Sequence, residues 1–575
     1  MEPSLVADVR RLEESGWAAS LLAALAGDHR ERPRFSASWV SPVPPEDAAL
    51  VRAYRIEGST VRLYRLPGGT ESLYFVAPGE YALPSAQVRL VHLARGELAR
   101  TAPARVRMDR TDDVRAYVTS LGERVIPRLA AERNVPLGAD RAEEVGTVRR
   151  LAAILATYTA GLGVVEIPLR DPNVQDVYLD APAGATPLHV TIADLGGGLQ
   201  QRCVTNVYLT GPDAEALLAR FRLESGRPFS ESMPVLETNL EAFRVRATAV
   251  GPPLSPDGLA VALRRHSADP WTLPRLIAAG AMTPLAAGLL SFLIDGRSTI
   301  LIAGARGAGK SALLGALLFE FPRSQRILTI EDTRELPTSY LQSLGYKVQA
   351  LFVRSTLGGS EMTADDALRV SLRLGESAIV LGEVRGQEAR TLYEAMRAGT
   401  AGSAVLGTIH GNSSRAVYER IVHDMGIPAT SFAATDVVAI AGLVRPGGSQ
   451  RSYRRLAEVT ELAKSRGTGE FAPLLAYDPA ADAVSPASGF ATSERIRAIA
   501  DAWSISYEEA IQNIRVRASI RGAIVEAARA GHPEMLSAAW VSRANAAYWG
   551  LVEEGRRNES LLAGWKEWFR GAVRG

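Results

Sequence analysis

One segment of the sequence has the residues needed to hold phosphate groups, Gly304-Ala-Arg-Gly-Ala-Gly-Lys-Ser311. Its order of a glycine, four residues, a glycine, a lysine and a serine is that of a phosphate-binding loop. The glycines of such a loop let the backbone turn tightly, so that its N–H groups and a helix N-terminus face the phosphates. The segment therefore predicts a nucleoside triphosphate site, and the alternative is a chance glycine-rich turn.

The residues of this segment have distinct predicted roles. Lys310 would reach the β- and γ-phosphates, and the hydroxyl of Ser311 would bind Mg²⁺. A β-rich run at 299–303 precedes the loop and a helical run at 311–321 follows it, which is the strand–loop–helix context that the motif requires. The residues predicted to bind the nucleotide here are Gly304, Arg306, Gly307, Ala308, Gly309, Lys310, Ser311 and Ala312.

Three more side chains follow short runs of apolar, β-forming residues. Such runs end directly before Glu331, Glu383 and His410. Because the carboxyl ends of parallel strands meet at one edge of a sheet, we expect these side chains to lie near the phosphate loop. Hydrolysis of a phosphoanhydride needs acidic groups that handle the metal ion and the attacking water.

The residue types favour roles for these groups without fixing them. Glu331 is the preferred general base, and Glu383 is preferred for binding the metal ion, partly through water, or for orienting the attacking water. His410 is either a sensor of the γ-phosphate or a structural histidine. With Lys310 these are the predicted catalytic residues, and Ser311 and Glu383 are the predicted Mg²⁺ site. Each acid could instead simply cap its strand.

Composition bounds the class of protein. The chain has 575 residues, of which 47% are hydrophobic and 22% charged, as expected of a globular protein with several domains. The 65 Lys and Arg nearly balance the 63 Asp and Glu, unlike the basic excess of a protein that coats nucleic acid. Cys203 is the single cysteine, which excludes intrachain disulfides and cysteine-based zinc or iron–sulfur sites and favours a reducing compartment.

The sequence gives no sign of a secretory signal or of a transmembrane helix. Residues 1–17 lack the apolar core of a signal peptide, so a cytoplasmic protein is expected. Residues 276–294 carry no charge, but Thr283-Pro284 predicts a helix start and Asp295-Gly296 its end. A helix of about a dozen residues is too short to cross a bilayer, and a buried helix is predicted instead.

The patterns along the chain predict an α/β protein of five segments. The turn-rich residues 251–258 are predicted to join two strands as a hairpin. The segments are a small N-terminal α+β module at 1–105, a helical segment at 106–161, an α+β domain at 162–270, a phosphate-loop α/β domain at 271–465 and a helical C-terminal extension at 466–575.

The phosphate loop and the three strand ends occur in an order that resembles a known family. Thr329-Ile-Glu-Asp-Thr-Arg-Glu-Leu336, Ile379-Val-Leu-Gly-Glu-Val-Arg-Gly-Gln-Glu-Ala389 and Gly407-Thr-Ile-His-Gly411 resemble the Asp box, Walker B motif and His box of the type II/IV secretion ATPase superfamily. Its members power type II secretion, type IV pili, archaella and type IV secretion. The motifs look most similar to those of archaeal and tight-adherence members, and the resemblance covers roughly residues 150–465.

The resemblance implies that arginines of the α+β domain reach the nucleotide phosphates. Arg227, Arg246 and Arg264 are the matching positions. A guanidinium group suits this task because it stays charged and binds oxygens in pairs, although an ion pair within the protein is the alternative for each arginine. One departure is that residues 374–377 read Leu-Gly-Glu-Ser where several relatives carry Arg-Pro-Asp, so contacts from that turn cannot be transferred.

The resemblance also implies a fold, an activity and partners. The fold would be a RecA-like P-loop domain preceded by a PAS-like α+β domain, and the ligands would be ATP and Mg²⁺. A homo-hexamer would couple hydrolysis of ATP to ADP and phosphate to domain movement, with the site lying between the two domains of one protomer. The hexamer would act on a polytopic platform protein of the inner or cytoplasmic membrane, as a cytoplasmic, peripherally bound motor, and indirectly on a pilin-like or secreted substrate.

Two other functions stay open at this point. One is a nucleic-acid-translocating ATPase of a conjugation or DNA-uptake system, which the basic stretch at 445–455 supports. No nucleic acid is nevertheless expected as a partner. The other is a catalytically silent scaffold that binds nucleotide only to assemble. The joint presence of Lys310, Ser311, Glu331 and Glu383 argues against the silent scaffold.

Overall fold

The chain divides into two compact units, Met1–Ala268 and Asp269–Gly575. The structure is a computed structural model of mixed α/β type. The residues that it describes are 32–68, 71–100, 111–193, 195, 201–265, 269–353, 363–375, 377–397, 404–445, 448, 452–466 and 470–574.

The first unit is built on a nine-stranded sheet with the order β2-β3-β4-β7-β6-β5-β11-β10-β9. Among its described strands, β4 pairs with β7 in parallel and the other neighbours pair antiparallel. Strands β1 and β8 form a separate pair. The strands are β1 (Trp39–Val40), β2 (Ala49–Ile56), β3 (Ser59–Arg65), β4 (Ser72–Ala77), β5 (Val174–Leu179), β6 (His189–Ile192), β7 (Arg202–Thr205), β8 (Val207–Tyr208), β9 (Val235–Leu240), β10 (Val245–Val250) and β11 (Ala260–Arg265).

This sheet joins two segments that the sequence pattern separates. Strands β2 to β4 come from the N-terminal module, and β5 to β7 and β9 to β11 come from the α+β domain. The predicted hairpin is confirmed, because β10 and β11 pair antiparallel from Val245↔Arg265 to Val250↔Ala260 on either side of the turn-rich residues. The sheet order is a long-range property that local periodicity does not contain, which is why the sequence shows the strands but not their union.

Helices of the first unit form a second hydrophobic core. Buried Phe35, Leu90, Ile126 and Leu151 pack together in this core. The helices of this core are Ser85–Leu98, Thr111–Glu132 and Arg141–Thr159. Two further helices, Glu166–Arg170 and Gly211–Ser225, pack against the sheet.

The second unit is built on a nine-stranded sheet with the order β14-β13-β15-β16-β12-β17-β18-β19-β20. The six strands from β14 to β17 in this spatial order pair in parallel with their neighbours. From β17 to β20 each strand pairs antiparallel with the next. The strands are β12 (Thr299–Gly304), β13 (Arg326–Glu331), β14 (Lys347–Phe352), β15 (Ala378–Leu381), β16 (Val405–Ile409), β17 (Val437–Val444), β18 (Tyr453–Leu462), β19 (Phe471–Asp478) and β20 (Ala483–Pro486).

Strands β19 and β20 lie in the segment at 466–575, where the sequence pattern predicts helices. They extend the antiparallel part of the sheet, and β19 buries Ala472, Leu474 and Leu475 while its exposed residues face solvent. A short run with two adjacent buried leucines fits neither a strict strand period nor a strict helix period, so its pattern is ambiguous. From residue 494 onward the described chain is helical, with short connections.

Helices cover the second sheet, and one of them is the predicted buried helix. It spans Pro284–Asp295, and the side chain of Thr283 accepts a hydrogen bond from the backbone N–H of Ala286, as predicted for its start. The helices of the unit are Leu273–Ala278, Pro284–Asp295, Lys310–Leu318, Thr338–Ser343, Ala364–Ser371, Glu388–Arg397, Ser414–Glu419, Ala429–Phe432, Glu494–Ala502, Tyr507–Arg529, Ala538–Glu553 and Asn558–Arg574.

Across the described part of the chain, no single helix combines the length and apolar composition needed to cross a membrane. One pair of consecutive helical segments, Arg141–Thr159 and Gly163–Arg170, meets that requirement jointly, with a bend of 103° between them.

A buried ionic network ties the helix Tyr507–Arg529 to the rest of the second unit. Arg521 forms an ion pair with Glu320, and Arg517 forms one with Asp295. Both arginines also donate to the hydroxyl of Ser291, at 3.0 Å from Arg517 and 2.6 Å from Arg521. Glu320 lies two residues beyond the helix Lys310–Leu318, so the network reaches the far end of the helix that follows the phosphate loop.

We expect Arg521→Ala to lower the free energy of unfolding of the second unit by about 3 kcal/mol, because the charge of Glu320 would stay buried without its partner. Replacing both residues, with Glu320→Gln in addition, should cost less than the sum of the two single changes. Chemical denaturation measures both effects. Arg529→Ala, an exposed arginine on the same helix, is the control, and an equal loss in the control would contradict the account.

Candidate functional site

The phosphate loop connects β12 to the helix Lys310–Leu318. A Cβ atom at Gly304 would lie 2.3 Å from the carbonyl oxygen of Ala441 on β17, so the packing of the two strands leaves no room for a side chain there. Gly307 and Gly309 have φ angles of 78° and 100°, which favour glycine. These three glycines let the chain leave the sheet and enter the helix in a tight turn.

Lys310 lies across the loop. Its Nζ donates to the carbonyl oxygens of Gly304 at 3.0 Å and of Ala305 at 3.1 Å. Burial lowers the pKa of Lys310, and the carboxylates of Glu383 and Glu335 act in the opposite direction. The ammonium group is therefore held beside the backbone of the loop with two acids close to it.

Ser311 and Glu331 are linked through one residue, Glu335. The hydroxyl of Ser311 donates to the carboxylate of Glu335, and the backbone N–H of Glu335 donates to Oε1 of Glu331 at 3.0 Å. The backbone N–H of Leu336 donates to the same oxygen at 2.9 Å. The turn after β13 thus fixes the Glu331 carboxyl and orients the Ser311 hydroxyl at the same time.

Glu331 is a buried acid of the site, with 3% of its surface exposed. Burial raises the pKa of Glu331 to about 7, although the two backbone N–H groups that it accepts from act in the opposite direction. Its second oxygen, Oε2, has no hydrogen-bond partner among the described residues. A carboxyl with this pKa can exchange a proton near neutral pH, which is the property required of a general base.

Glu383 follows β15 and is more exposed than Glu331. Its Oε1 lies 3.2 Å from Nε2 of His410, and its Oε2 lies 3.5 Å from Nη1 of Arg385. Arg385 also forms an ion pair with Asp332, the residue after Glu331. These contacts join the ends of β13, β15 and β16 in one charged cluster.

His410 follows β16 and faces this cluster. Burial lowers the pKa of His410 and the positive charge of Lys310 lowers it further, whereas the carboxylate of Glu383 raises it. A lowered pKa keeps the imidazole neutral at neutral pH. A neutral imidazole has one nitrogen that donates a hydrogen bond and one that accepts. Its hydrogen bonds can therefore change when the charge beside it changes.

The structure brings Lys310, Ser311, Glu331, Glu383 and His410 to one edge of the second sheet. The remaining loop residues lie where the motif places them: Ala308 is buried, Ala312 is half-buried and Arg306 is exposed. The catalytic and binding roles of all these residues stay predictions.

The three predicted phosphate-binding arginines lie in the first unit. Arg246 on β10 and Arg264 on β11 are directly opposite each other. Arg246 forms an ion pair with Glu237, and Arg264 forms one with Asp176, each at 3.1 Å. The backbone N–H of Arg227 donates to the hydroxyl of Ser225 at 3.1 Å. The paired strands thus place the positive charges of Arg246 and Arg264 side by side, and each charge is balanced by an acid. Contact of the three arginines with phosphate stays a prediction.

Sequence reasoning missed four residues that shape the site. Glu335 and Arg385 stand inside the motifs without a predicted role. They lie four residues after Glu331 and two residues after Glu383, and this closeness is the sequence signal that points to them. Glu388, which is buried, accepts from the backbone N–H groups of Arg385 and Gly386 at 2.7 Å and so fixes the turn after β15. The fourth residue, Arg454, donates from Nε to the carbonyl oxygen of Gly307 at 2.9 Å, and no sequence motif marks that contact.

The oxygen groups of the site suit Mg²⁺. The hydroxyl of Ser311 and the carboxylates of Glu335 and Glu383 are hard oxygen donors, the type that this ion prefers. No cluster of three or more His, Cys, Asp or Glu residues that could hold a metal ion occurs in the described ranges. Mg²⁺ commonly takes one or two protein ligands and completes its shell with phosphate oxygens and water, so these residues fit it.

Comparison with known proteins identifies related sequences. A family profile described as Type II/IV secretion system protein matches residues 214–476. A Mycobacterium tuberculosis protein named for conjugal transfer is 29% identical over 321 residues, which is 55% of this chain and 88% of that protein. An uncharacterised protein of Methanocaldococcus jannaschii is 30% identical over 258 residues, which is 42% of this chain and 87% of that protein.

A solved structure is also similar. The crystal structure of the VirB11 ATPase from the Brucella suis type IV secretion system, in complex with sulphate, shares 24% sequence identity, covers 51% of this chain and 91% of its own, and has a TM-score of 0.26.

We expect Glu331→Gln to make the protein more stable at pH 8. The ordinary pKa of this carboxyl, 4.5, applies to the unfolded chain, and burial raises it to about 7 in the fold. The folded state therefore holds the proton more tightly, and stability falls as the pH rises from 4.5 to about 7. Glutamine removes this loss, so the Tm at pH 8 should rise by at least about 2 °C, the shift that ~1 kcal/mol gives in a large domain.

Thermal unfolding at pH 5 and pH 8 measures this effect. The gain from Glu331→Gln should shrink at pH 5, where the wild-type carboxyl is already largely protonated in the fold. Glu394→Gln, at an exposed position, is the control and should change neither Tm. A Glu331→Gln variant that is less stable than wild type at pH 8 would contradict the burial argument.

Proposed function

Because this chain belongs to the type II/IV secretion ATPase superfamily, we propose that it is an ATPase motor. It binds ATP at residues 304–311, hydrolyses it to ADP and phosphate, and drives secretion or the assembly of a type IV pilus-like filament. The observation that carries this proposal is the meeting of a phosphate loop with Glu331, Glu383 and His410 at one edge of the sheet.

The loop binds the triphosphate through its backbone and one side chain. Positive φ angles at Gly307 and Gly309 aim backbone N–H groups and the start of the helix Lys310–Leu318 toward the phosphates. Lys310 supplies the counter-charge for the β- and γ-phosphates. Its ammonium group already lies within hydrogen-bond distance of the loop carbonyls, so it needs little movement to reach a phosphate.

Ser311 and Glu383 would hold Mg²⁺, and Glu335 orients the Ser311 hydroxyl. When bound, the ion neutralises negative charge on the phosphate oxygens. Glu383 is kept in place by its contacts with His410 and Arg385. One residue after β15 and one after β16 thus contact the carboxylate of Glu383.

Glu331 is the general base in this proposal. Its free oxygen and its pKa of about 7 let it take a proton from the attacking water at neutral pH. Its fixed oxygen, which accepts two backbone N–H groups, holds the carboxyl in one orientation. His410 lies against Glu383 and responds to the charge of the γ-phosphate through that contact.

Motor action requires that the nucleotide state changes the protein. A γ-phosphate attracts the positive charges of Arg227, Arg246 and Arg264. This attraction ends after hydrolysis, when the phosphate leaves. We place the working protein in a homo-hexamer on the cytoplasmic side of the membrane, where it acts on a polytopic platform protein. The pilin-like or secreted substrate is then moved indirectly.

Conjugal transfer is a second candidate function, because the M. tuberculosis relative is named for it. The residue evidence for a nucleic-acid surface was the basic stretch at 445–455. In the structure Arg455 bonds Asp482 with two contacts of 2.8 and 2.7 Å, and Arg454 donates to the phosphate loop. These two arginines serve contacts within the protein, which favours the secretion or pilus motor over direct DNA binding.

The test is Mg²⁺-dependent ATP hydrolysis by the purified protein. Wild type should hydrolyse ATP as an assembly of six chains of 61.6 kDa each, measured by light scattering. Lys310→Ala should lose nucleotide binding, and Glu383→Gln should bind ATP but lose at least ~100-fold in kcat, as expected for a group that acts on transition-state charge. Lys566→Ala, an exposed lysine in the C-terminal helix, is the matched control and should keep full activity.

Two additions to the assay separate the alternatives. Membranes that contain the platform protein should raise the rate, whereas single-stranded DNA should leave it unchanged. Stimulation by DNA alone would favour the conjugal-transfer function. Tight ATP binding without hydrolysis, even with those membranes present, would contradict the motor and leave a nucleotide-binding scaffold.

A further inference from the structure

Arg454 lies on the side of the phosphate loop that carries none of the predicted catalytic acids. Strand β12 stands between β16 and β17. The ends of β13, β15 and β16 bring Glu331, Glu383 and His410 to one side of the loop. Arg454 comes from the other side, where it pairs with Leu443 at the carboxyl end of β17. The sheet order therefore separates Arg454 from the hydrolytic groups.

The side chain of Arg454 lies against the loop. Its Nε donates to the carbonyl oxygen of Gly307 at 2.9 Å. A Cβ atom placed at Gly309 would lie 3.5 Å from its Cδ. The arginine thus covers the part of the loop between the two glycines with positive φ angles. Glycine restricts its own backbone angles least, so this part of the loop depends most on contacts from outside it.

The strand that carries Arg454 is anchored on its other face. Arg455 bonds both carboxylate oxygens of Asp482, at 2.8 and 2.7 Å, and its guanidinium group lies 5.3 Å from the ring centre of Tyr453. Neighbouring strand residues point to opposite faces, so this anchor leaves Arg454 to face the loop. Because the strand is held in place, the backbone of Arg454 has a fixed position relative to its anchor.

We infer that Arg454 is a positioning residue that holds the Gly307–Gly309 turn in its phosphate-binding conformation. The inference rests on the proposed ATP site and adds a residue from β18 that the phosphate-loop motif does not include. Loss of the hydrogen bond to Gly307 frees a glycine-rich turn, and the turn must then be ordered when phosphate binds. The effect falls on binding of the phosphate chain and leaves the hydrolytic step intact, because the acids stand on the opposite side of the loop.

Binding of ATP and of inorganic triphosphate to the full-length protein tests this inference, with both measured by displacement of a fluorescent ATP analogue. Arg454→Ala should weaken both ligands by the same factor of about ten, the size expected for one charge-assisted hydrogen bond. The value of kcat at saturating ATP and the Tm should stay at the wild-type level. Arg454→Lys keeps a donor and should restore part of the affinity.

Arg445→Ala is the matched control, because it removes an exposed arginine from the same hairpin and its side chain donates to Gly448 instead of the loop. It should bind both ligands like wild type. Weaker binding of ATP alone in Arg454→Ala would overturn the inference in favour of a nucleoside contact. Unchanged binding of both ligands, or an affinity loss that accompanies a lower Tm without rescue by lysine, would also overturn it. Failure of wild type to bind ATP would instead refute the proposed function.

Discussion

The parallel pairing of β12 with β16 and β17 is the constraint on which the site depends. Parallel strands end at the same edge, so the pairing brings the phosphate loop beside the residues that follow β13, β15 and β16. The pairing with β17 is so close that only glycine fits at position 304, and this glycine begins the turn of the loop. The chemistry of the site and the packing of the sheet are therefore set by the same contacts.

Burial gives Glu331 its reactivity and also costs stability. Two backbone N–H groups hold one oxygen, while desolvation of the carboxyl raises its pKa to about 7. Glu383 is less buried than Glu331, and its carboxylate is held by His410 and Arg385 instead. The two acids differ in environment in the way that their proposed roles require, one as a base and one as a group that orients the metal ion or water.

The sequence predicts much of this site because its signals are local. The loop, the helix Pro284–Asp295 and the residues at three strand ends follow from motifs and periodicity within short windows. The contacts of Glu335 with Ser311 and of Arg454 with Gly307 bridge 24 and 147 positions, and no local pattern contains them. The shared sheet of the first unit depends on the long-range pairing of β4 with β7 in the same way.

The most direct test of the central claim is the dependence of kcat on pH in the wild-type protein, compared with Glu331→Gln and His410→Asn. If deprotonated Glu331 is the base, kcat should rise with pH to a plateau with a midpoint near 7. That midpoint should persist in His410→Asn, and Glu331→Gln should leave only weak, pH-independent activity. A wild-type midpoint that disappears in His410→Asn and persists in a fully active Glu331→Gln would contradict the account.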